Sequence, residues 1–378
     1  MSQNISLVIL CAGNSTRFGL DTKKQWLRIE HAPLWHFVMQ KLRHYYGFDS
    51  VIVTAHKDEV NYMHNFIDDS NIRIVAGGNT RQESMKNALQ HIDTSHVMVT
   101  DVARACISEQ NILNLIKHID DADCIVPFMS VSDTVIFENS TIDRDEVKLI
   151  QTPQLSKTSI LKNALECNTH YTDDSSAIQS AGGTIKYVVG EQCAKKLTHA
   201  KDLQDLSCLN APSPNTFTGF GYDVHQFEQN KPMLLGGVTL DVAYGFKAHS
   251  DGDVLIHSII DALLGACGAG DIGEFFPDTD AHYKNANSAK LLTHITTFIR
   301  NIGYEIINID VSIIAEQPKI TPYKSSIKEN LSTLLNLPKQ FINIKASTSE
   351  KMGFIGKKEG VAVHSIATLK YYNWRTQS

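Results

Sequence analysis

The feature that most constrains this chain is a change of rhythm about halfway along it. In the first half, short β-rich runs at 7–10, 51–54, 72–75, 97–99 and 124–126 alternate with helical spacing at 34–45 and 82–92. Strands alternating with helices predict a mainly parallel, Rossmann-like α/β sheet with crossover helices. Thr80 stands where a cap for the second helix belongs. The segment 207–216, SCLNAPSPNT, then interrupts any regular element with two prolines. Beyond it the order changes to a strand at 219–225, an apolar helix at 253–267, a helix at 288–300, and strands near 306–315 and 341–347 with a helix at 323–335 between them. A single core stops growing at roughly 250–300 residues, so 378 residues imply two domains. We place them at 1–210 and 211–378, the second α+β, with the linker at 207–216.

Charge narrows the function classes. Lys and Arg number 35 against 41 Asp and Glu, a net charge of −6, so no global field favours nucleic acid and any phosphate must be held locally. The most apolar long stretch, 254–270, is interrupted by His257 and Asp261, and the N-terminus lacks the basic region and cleavage site of an export signal. Seven scattered cysteines without a Cys-x-x-Cys pair read as reduced thiols of a cytoplasmic protein.

Directly after the first strand, LCAGNSTRFG (10–19) offers glycines, small residues and Arg17, so its backbone N–H groups can face a phosphate chain, and Lys24 follows shortly. GGNTRQES (77–84) sets another glycine turn before a helix. TDVAR (100–104) puts Asp101 at a strand end, where open α/β sheets bind ligands. Alone, Asp101 reads as a helix cap; among these basic residues it suits a magnesium-bound nucleoside triphosphate.

In this order Gly13, Arg17, Lys24, Gly78, Arg81, Asp101 and Arg104, with SDT (132–134), TPQ (152–154), TDD (172–174) and KLT (196–198), resemble the nucleotidyltransferase fold and, more closely, 2-C-methyl-D-erythritol 4-phosphate cytidylyltransferase. The resemblance implies transfer of CMP from CTP to methylerythritol phosphate with release of pyrophosphate. Arg17 and Lys24 would be catalytic and Asp101 would hold Mg²⁺. Cys11, Ala12, Gly13, Gly78, Arg81 and Ser84 would hold the nucleotide; Arg104, Arg144, Thr172 and Lys196 would hold the sugar phosphate, with Arg144 reaching in from the partner of a dimer. Cys193 or Ala194 stands where Asn is usual, which leaves Lys195 as an alternative to Lys196.

In the second half, GFGYDVH (219–225) sets Asp223 and His225 two apart on a strand, hence on one face. His257 lies on the apolar helix, spaced by four from Asp253 and Asp261. A lone histidine there reads as a bonded core residue, but with Asp-x-His it completes a three-ligand zinc set that keeps one position open. The DVH, AHSDGD, GDIGEFFPDTD, QPK and TSEKMGFIG segments resemble 2-C-methyl-D-erythritol 2,4-cyclodiphosphate synthase over 219–370. That resemblance implies Zn²⁺ on Asp223, His225 and His257, and Mg²⁺ or Mn²⁺ on Glu350, with Ser250 and Glu350 catalytic. His249, Asp271, Gly273 and Asp278 would contact the CDP-methylerythritol phosphate substrate, and Pro318, Lys319, Ala346, Ser347 and Thr348 a cytidine from the neighbouring subunit of a trimer. Lys357 stands where Arg is usual and loses its bidentate fork.

Together the halves read as a bifunctional enzyme of the non-mevalonate isoprenoid pathway that lacks the kinase acting between its two steps. A homo-oligomer with dimeric and trimeric contacts would be a hexamer. The alternatives are a sugar-nucleotide pyrophosphorylase fused to a zinc phosphodiesterase, and a nucleotide- and metal-binding module without turnover.

Overall fold

The computed structural model describes residues 4–166, 169–206, 208–248, 250–277, 279 and 286–376. Two compact units divide the chain, Met1–Ala211 with Trp374–Ser378, and Pro212–Asn373.

In chain order the first unit runs β1 (Ile5–Leu10), α1 (Leu34–Tyr45), β2 (Ser50–Ala55), β3 (Ile72–Ala76), α2 (Arg81–Leu89), β4 (His96–Asp101), α3 (Glu109–Lys117), β5 (Cys124–Ser130), an exposed hairpin of β6 (Val135–Phe137) and β7 (Ser140–Ile142), β8 (Lys148–Ile150), β9 (Gln154–Lys157), α4 (Thr158–Leu165), α5 (Asp174–Ser180) and β10 (Ile185–Val189). β1 is apolar at five of its six positions and lies between β2 and β4, parallel to both, as suits a strand covered on both faces. Successive strands go from β1 to β2 and β3 on one side, then return to β4 on the other. That reversal opens a crevice at the carboxyl ends of β1 and β4, where α/β sheets bind ligands. Leu10 is in register with Asp101 there. The sheet is mainly parallel, with β8 and β9 as antiparallel members that the sequence reading omits. Val8, Ile52, Val99 and Val126 meet Met85, Leu161 and Ile178 from α2, α4 and α5 in the core.

Two features of this unit correct the sequence reading. Cys106 and Cys208 form a disulfide across 102 residues, so these two are not thiols. No local spacing betrays a pair so far apart in sequence. Trp374, assigned by sequence to the second domain, is buried in the first unit and donates its indole N–H to the Arg28 carbonyl at 2.8 Å.

The second unit runs β11 (Thr216–Gln229), β12 (Tyr244–Phe246), α6 (Val254–Cys267), α7 (Ser288–Asn301), β13 (Tyr304–Ile314), α8 (Lys324–Leu335), β14 (Ile342–Ser347) and β15 (Gly360–Tyr371). Its sheet is ordered β12-β11-β15-β13-β14, antiparallel except for the β13–β14 pair. The sequence reading misses β15, the middle strand, although buried Val361, Val363, Ala367 and Leu369 alternate along it. Helix α6 lies on β11 at a distance only glycine permits. A Cβ on Gly219 would stand 2.0 Å from the Ala262 carbonyl oxygen, and one on Gly221 1.9 Å from that of Ser258. On the opposite face Phe220, Tyr222 and Val224 are exposed. Period-2 alternation therefore aims Asp223 and His225 to the helix side with the glycines.

Gly221→Ala should destabilise this unit by at least the ~1–3 kcal/mol of an overpacked core. Gly265→Ala, on α6 with no neighbour nearer than 3.9 Å, should be neutral or stabilise by up to about 1 kcal/mol through helix propensity. Thermal unfolding of the two variants checks the opposite signs.

Candidate active sites

Both loops of the first site are fixed by short-range bonds. In the 10–19 loop, Gln25 donates to the Gly13 carbonyl at 3.0 Å and the Ser15 hydroxyl accepts from the Lys24 N–H at 3.1 Å. Cys11 is buried, and its N–H donates to Thr54 Oγ1 at 3.1 Å. Burial, with Glu59 and Asp101 nearby, holds its thiol well above the ordinary range and so keeps it protonated. In the second loop Ser84 Oγ accepts from the Gly78 N–H at 3.0 Å and Thr80 caps α2 through the Glu83 N–H at 3.0 Å. A Cβ on Gly77 would stand 2.2 Å from Ala12 Cβ, so that glycine lets the two loops meet.

Asp101 is the centre of a charge cluster. Lys196 Nζ lies 2.7 Å from its Oδ2 and Arg81 Nε 3.7 Å from its Oδ1. Burial raises the Asp101 carboxyl, but Lys196, Arg81 and Arg104 outweigh it and leave it below the usual range. Arg81 is itself held by Asp174, at 2.7 and 3.4 Å. Of the two candidate lysines, Lys196 faces the cluster, whereas Lys195 pairs with Asp205 at 2.7 Å and Asp202 at 3.2 Å. Lys24 Nζ donates to the Leu197 carbonyl at 3.1 Å, which brings it beside the same segment. Its pKa is lowered by burial and by the positive charges of Lys196 and Arg17. Neighbouring Lys23 is turned away into a buried pair with Glu59 at 2.5 Å.

Three other residues singled out by sequence are placed differently. Arg104 is buried and spends its guanidinium on the Ala194 carbonyl at 2.7 Å and the Ile150 carbonyl at 3.4 Å. Arg144 follows the exposed β6–β7 hairpin and donates to the Ser132 carbonyl at 2.7 Å. Thr172 is exposed just before Asp173, the cap of α5.

In the second unit the triad closes between β11 and α6. Asp223 Oδ2 lies 3.1 Å from His225 Nε2 and 3.1 Å from His257 Nδ1. One donor atom from each residue falls within 4.8 Å of the other two, which fits a divalent metal. The far ring nitrogen of His225 faces the Gly252 carbonyl at 3.0 Å. A carbonyl only accepts, so Nδ1 carries the proton and Nε2 presents its lone pair to the triad. Burial opposes ionisation of Asp223, but the hydrogen bonds and charges of both histidines hold it well below the carboxylate range. Burial lowers His257, and Asp223, Asp253 and Asp251 more than reverse this. Asp253 is no ligand: it caps α6 and accepts from the Gly236, Gly237 and Ile256 N–H groups.

Around the triad, Ser250 Oγ stands 3.4 Å from His257 Nε2. Asp271 caps the short helix Ile272–Phe275, and Asp271 is exposed while Gly273 follows within that helix. His249 and Asp278 lie outside the described residues. Pro318 and Lys319 follow β13, and Ala346 and Ser347 end β14, its parallel neighbour, with Thr348 just past it, so both loops leave the same sheet end. Glu316, missed by the sequence reading, ties them by accepting from the Ser349 N–H at 3.2 Å and the Lys351 N–H at 2.9 Å. Glu350 is exposed, outside the triad, in left-handed backbone (φ 52°), and accepts from Thr348 Oγ1 at 2.8 Å. Among the described residues no helix is long and apolar enough to cross a membrane.

Comparison with known proteins agrees with this two-site organisation. Residues 5–208 match the 2-C-methyl-D-erythritol 4-phosphate cytidylyltransferase family and residues 216–370 the YgbB family. The chain is 59% identical over 372 residues to the bifunctional enzyme IspD/IspF of Aliarcobacter butzleri, covering 98% of this chain and 99% of the relative. Its identity to the protein of the same name from Sulfurimonas denitrificans is 49% over 370 residues, covering 98% of this chain and 95% of that one. The solved structure of the bifunctional IspDF from Campylobacter jejuni matches with a TM-score of 0.88 at 48% identity, over 99% of this chain and 100% of that one. With a cytidylyltransferase in one unit and a cyclodiphosphate synthase in the other, this chain belongs to the bifunctional IspD/IspF family of isoprenoid biosynthesis.

Proposed function

We propose that the first unit binds CTP on its two glycine loops, through Cys11, Ala12, Gly13, Gly78, Arg81 and Ser84, beside methylerythritol phosphate. The 4-phosphate oxygen attacks the α-phosphorus of CTP in line, and the bond to pyrophosphate breaks. Arg17 and Lys24 offset charge on the triphosphate. Lys196 and Thr172 orient the sugar phosphate, while Arg104 firms the wall by holding two carbonyls. Arg144, on its exposed arm, serves the site of a partner subunit. In the second unit the 2-phosphate of CDP-methylerythritol phosphate attacks the β-phosphorus and expels CMP. Ser250, His249, Asp271, Gly273 and Asp278 hold the folded substrate, and such orientation can be worth on the order of 10⁵–10⁸ M in effective molarity. Pro318, Lys319, Ala346, Ser347 and Thr348 of one subunit hold the cytidine of the next. Asp101 suits Mg²⁺, the Asp223, His225 and His257 set suits Zn²⁺, and Glu350 suits Mg²⁺ or Mn²⁺. When bound, these ions supply Lewis-acid polarisation of phosphate oxygens.

The observation that carries this reading is the convergence of Asp223, His225 and His257 in a unit separate from the Asp101 cluster. Purified protein should release pyrophosphate from CTP plus methylerythritol phosphate with Mg²⁺, and CMP from CDP-methylerythritol phosphate. Zinc chelation should stop only the second reaction. Without the kinase step, methylerythritol phosphate and CTP should give no cyclic product; its appearance would overturn the assignment.

Lys196→Met should lower the first reaction by about two orders of magnitude, of the size seen when one charge-stabilising donor is lost. Lys195→Met, whose lysine pairs elsewhere, should leave it nearly unchanged. Initial-rate kinetics on both variants separate the two lysines.

Two apolar faces support the oligomer. Ile136, Phe137 and Leu149 are exposed on the arm of the first unit, and Phe220, Tyr222 and Ile366 on the open sheet face of the second. A dimer through one and a trimer through the other builds a hexamer of three dimers and two trimers. Light scattering should give six chains per particle; a monomer would rule this out.

A further inference from the structure

Ser288, the first residue of α7, is fully buried against the triad and has no part in the roles assigned above. Its backbone N–H donates to Asp251 Oδ2 at 2.9 Å, and its hydroxyl donates to Asp251 Oδ1. A carboxylate accepts only, so the single hydroxyl proton of Ser288 is committed to Asp251. The remaining lone pairs of that oxygen face His257 Nε2 at 2.9 Å. Ser288 can then only accept there, which requires the proton of a neutral His257 on Nε2. The lone pair is left on Nδ1, the nitrogen 3.1 Å from Asp223 Oδ2. Ser250, at 3.4 Å from the same Nε2, is the more distant hydroxyl and accepts from the Gly252 N–H.

We infer that Asp251 and Ser288 form a positioning relay that fixes the His257 tautomer, so that Nδ1 is presented to a divalent metal shared with Asp223 and His225. The two histidines reach this state by different routes. His225 is oriented by a backbone carbonyl, which cannot change its role. His257 is oriented by a hydroxyl, which accepts from the ring only while Asp251 takes its proton. Outer partners of this kind typically change metal affinity by 10–100-fold when removed.

The inference rests on reading Asp223, His225 and His257 as metal ligands, and the experiment separates the two. Zinc affinity of the full-length protein is measured by competition with a chromophoric chelator for wild type, His257→Ala, Ser288→Ala and Asp251→Asn. Asp251→Asn keeps the shape but adds an amide donor to the Ser288 oxygen, so that the hydroxyl proton turns to His257 Nε2 and favours the wrong tautomer. Both outer variants should bind zinc about 10–100-fold more weakly, with cytidylyl transfer by the first unit unchanged as a control on the same chain. Histidine ¹⁵N shifts of zinc-saturated protein should report His257 with Nδ1 on the metal and its proton on Nε2 in wild type, and loss of that Nε2–H signature in Asp251→Asn, a change that mere loss of packing would not produce. If His257→Ala leaves zinc binding intact, the ligand reading fails. If it abolishes binding while Ser288→Ala and Asp251→Asn bind within about twofold of wild type, or if the tautomer is unchanged in Asp251→Asn, the relay is wrong.

Discussion

A carboxylate removed from water keeps its charge only if cations or donors replace the lost hydration, and both units are arranged around one such group. In the first, Asp101 exposes 14% of its side chain and is flanked by Lys196 and Arg81. In the second, Asp223 exposes 23% and is flanked by two imidazoles. The surrounding folds differ, yet each brings at least one flanking group from an element distant in sequence. Lys196 is 95 residues from Asp101, and His257 is 34 from Asp223. Losing either carboxylate would leave its partners without the charge that gathers them, so it organises its site even before substrate arrives.

How each unit delivers its carboxylate differs instructively. The first relies on sheet topology: the reversal of strand order around β1 leaves a crevice, and β4 ends in it. Loop geometry then needs only Gly77 and a few side-chain bonds to the backbone. The second relies on close packing. Without a side chain at Gly219 and Gly221, α6 sits on β11 closely enough for a strand residue and a helix residue to share one atom-sized space. A phosphate-binding crevice tolerates loop adjustment, whereas a three-donor cluster needs donor atoms positioned to a few tenths of an ångström.

Much of this was legible in the sequence because it was local. Asp223 and His225 sit two apart, Thr80 precedes its helix, and β1 is a plain apolar run followed by small residues. What escaped was long-range or context-dependent. The Cys106–Cys208 bond spans 102 residues and has no spacing signature. Ser288 and Asp251, 37 residues apart, are ordinary in isolation, and only the hydrogen-bond count around His257 distinguishes them. Lys195 and Lys196 cannot be ranked by residue type, since only the turn at 192–194 decides which ammonium meets Asp101. Asp253 was visible as a helix-face acid, but its role as a cap emerges only where the Gly236–Gly237 turn offers its N–H groups. The missed strand β15 differs from these: its alternation was present, and polar His364 and Ser365 in its middle obscured it.

The return of Trp374 to the first unit has a bearing on how the protein is made. Residues 212–373 lie in sequence between Ala211 and the indole that fills the first unit's interior beside Arg28. A ribosome therefore completes the whole second unit before the first receives its last buried side chain. Until then the nascent first unit lacks one piece of its packing, and because the central strand β15 of the second unit ends at Tyr371, only three residues earlier, both units are completed together at the end of synthesis.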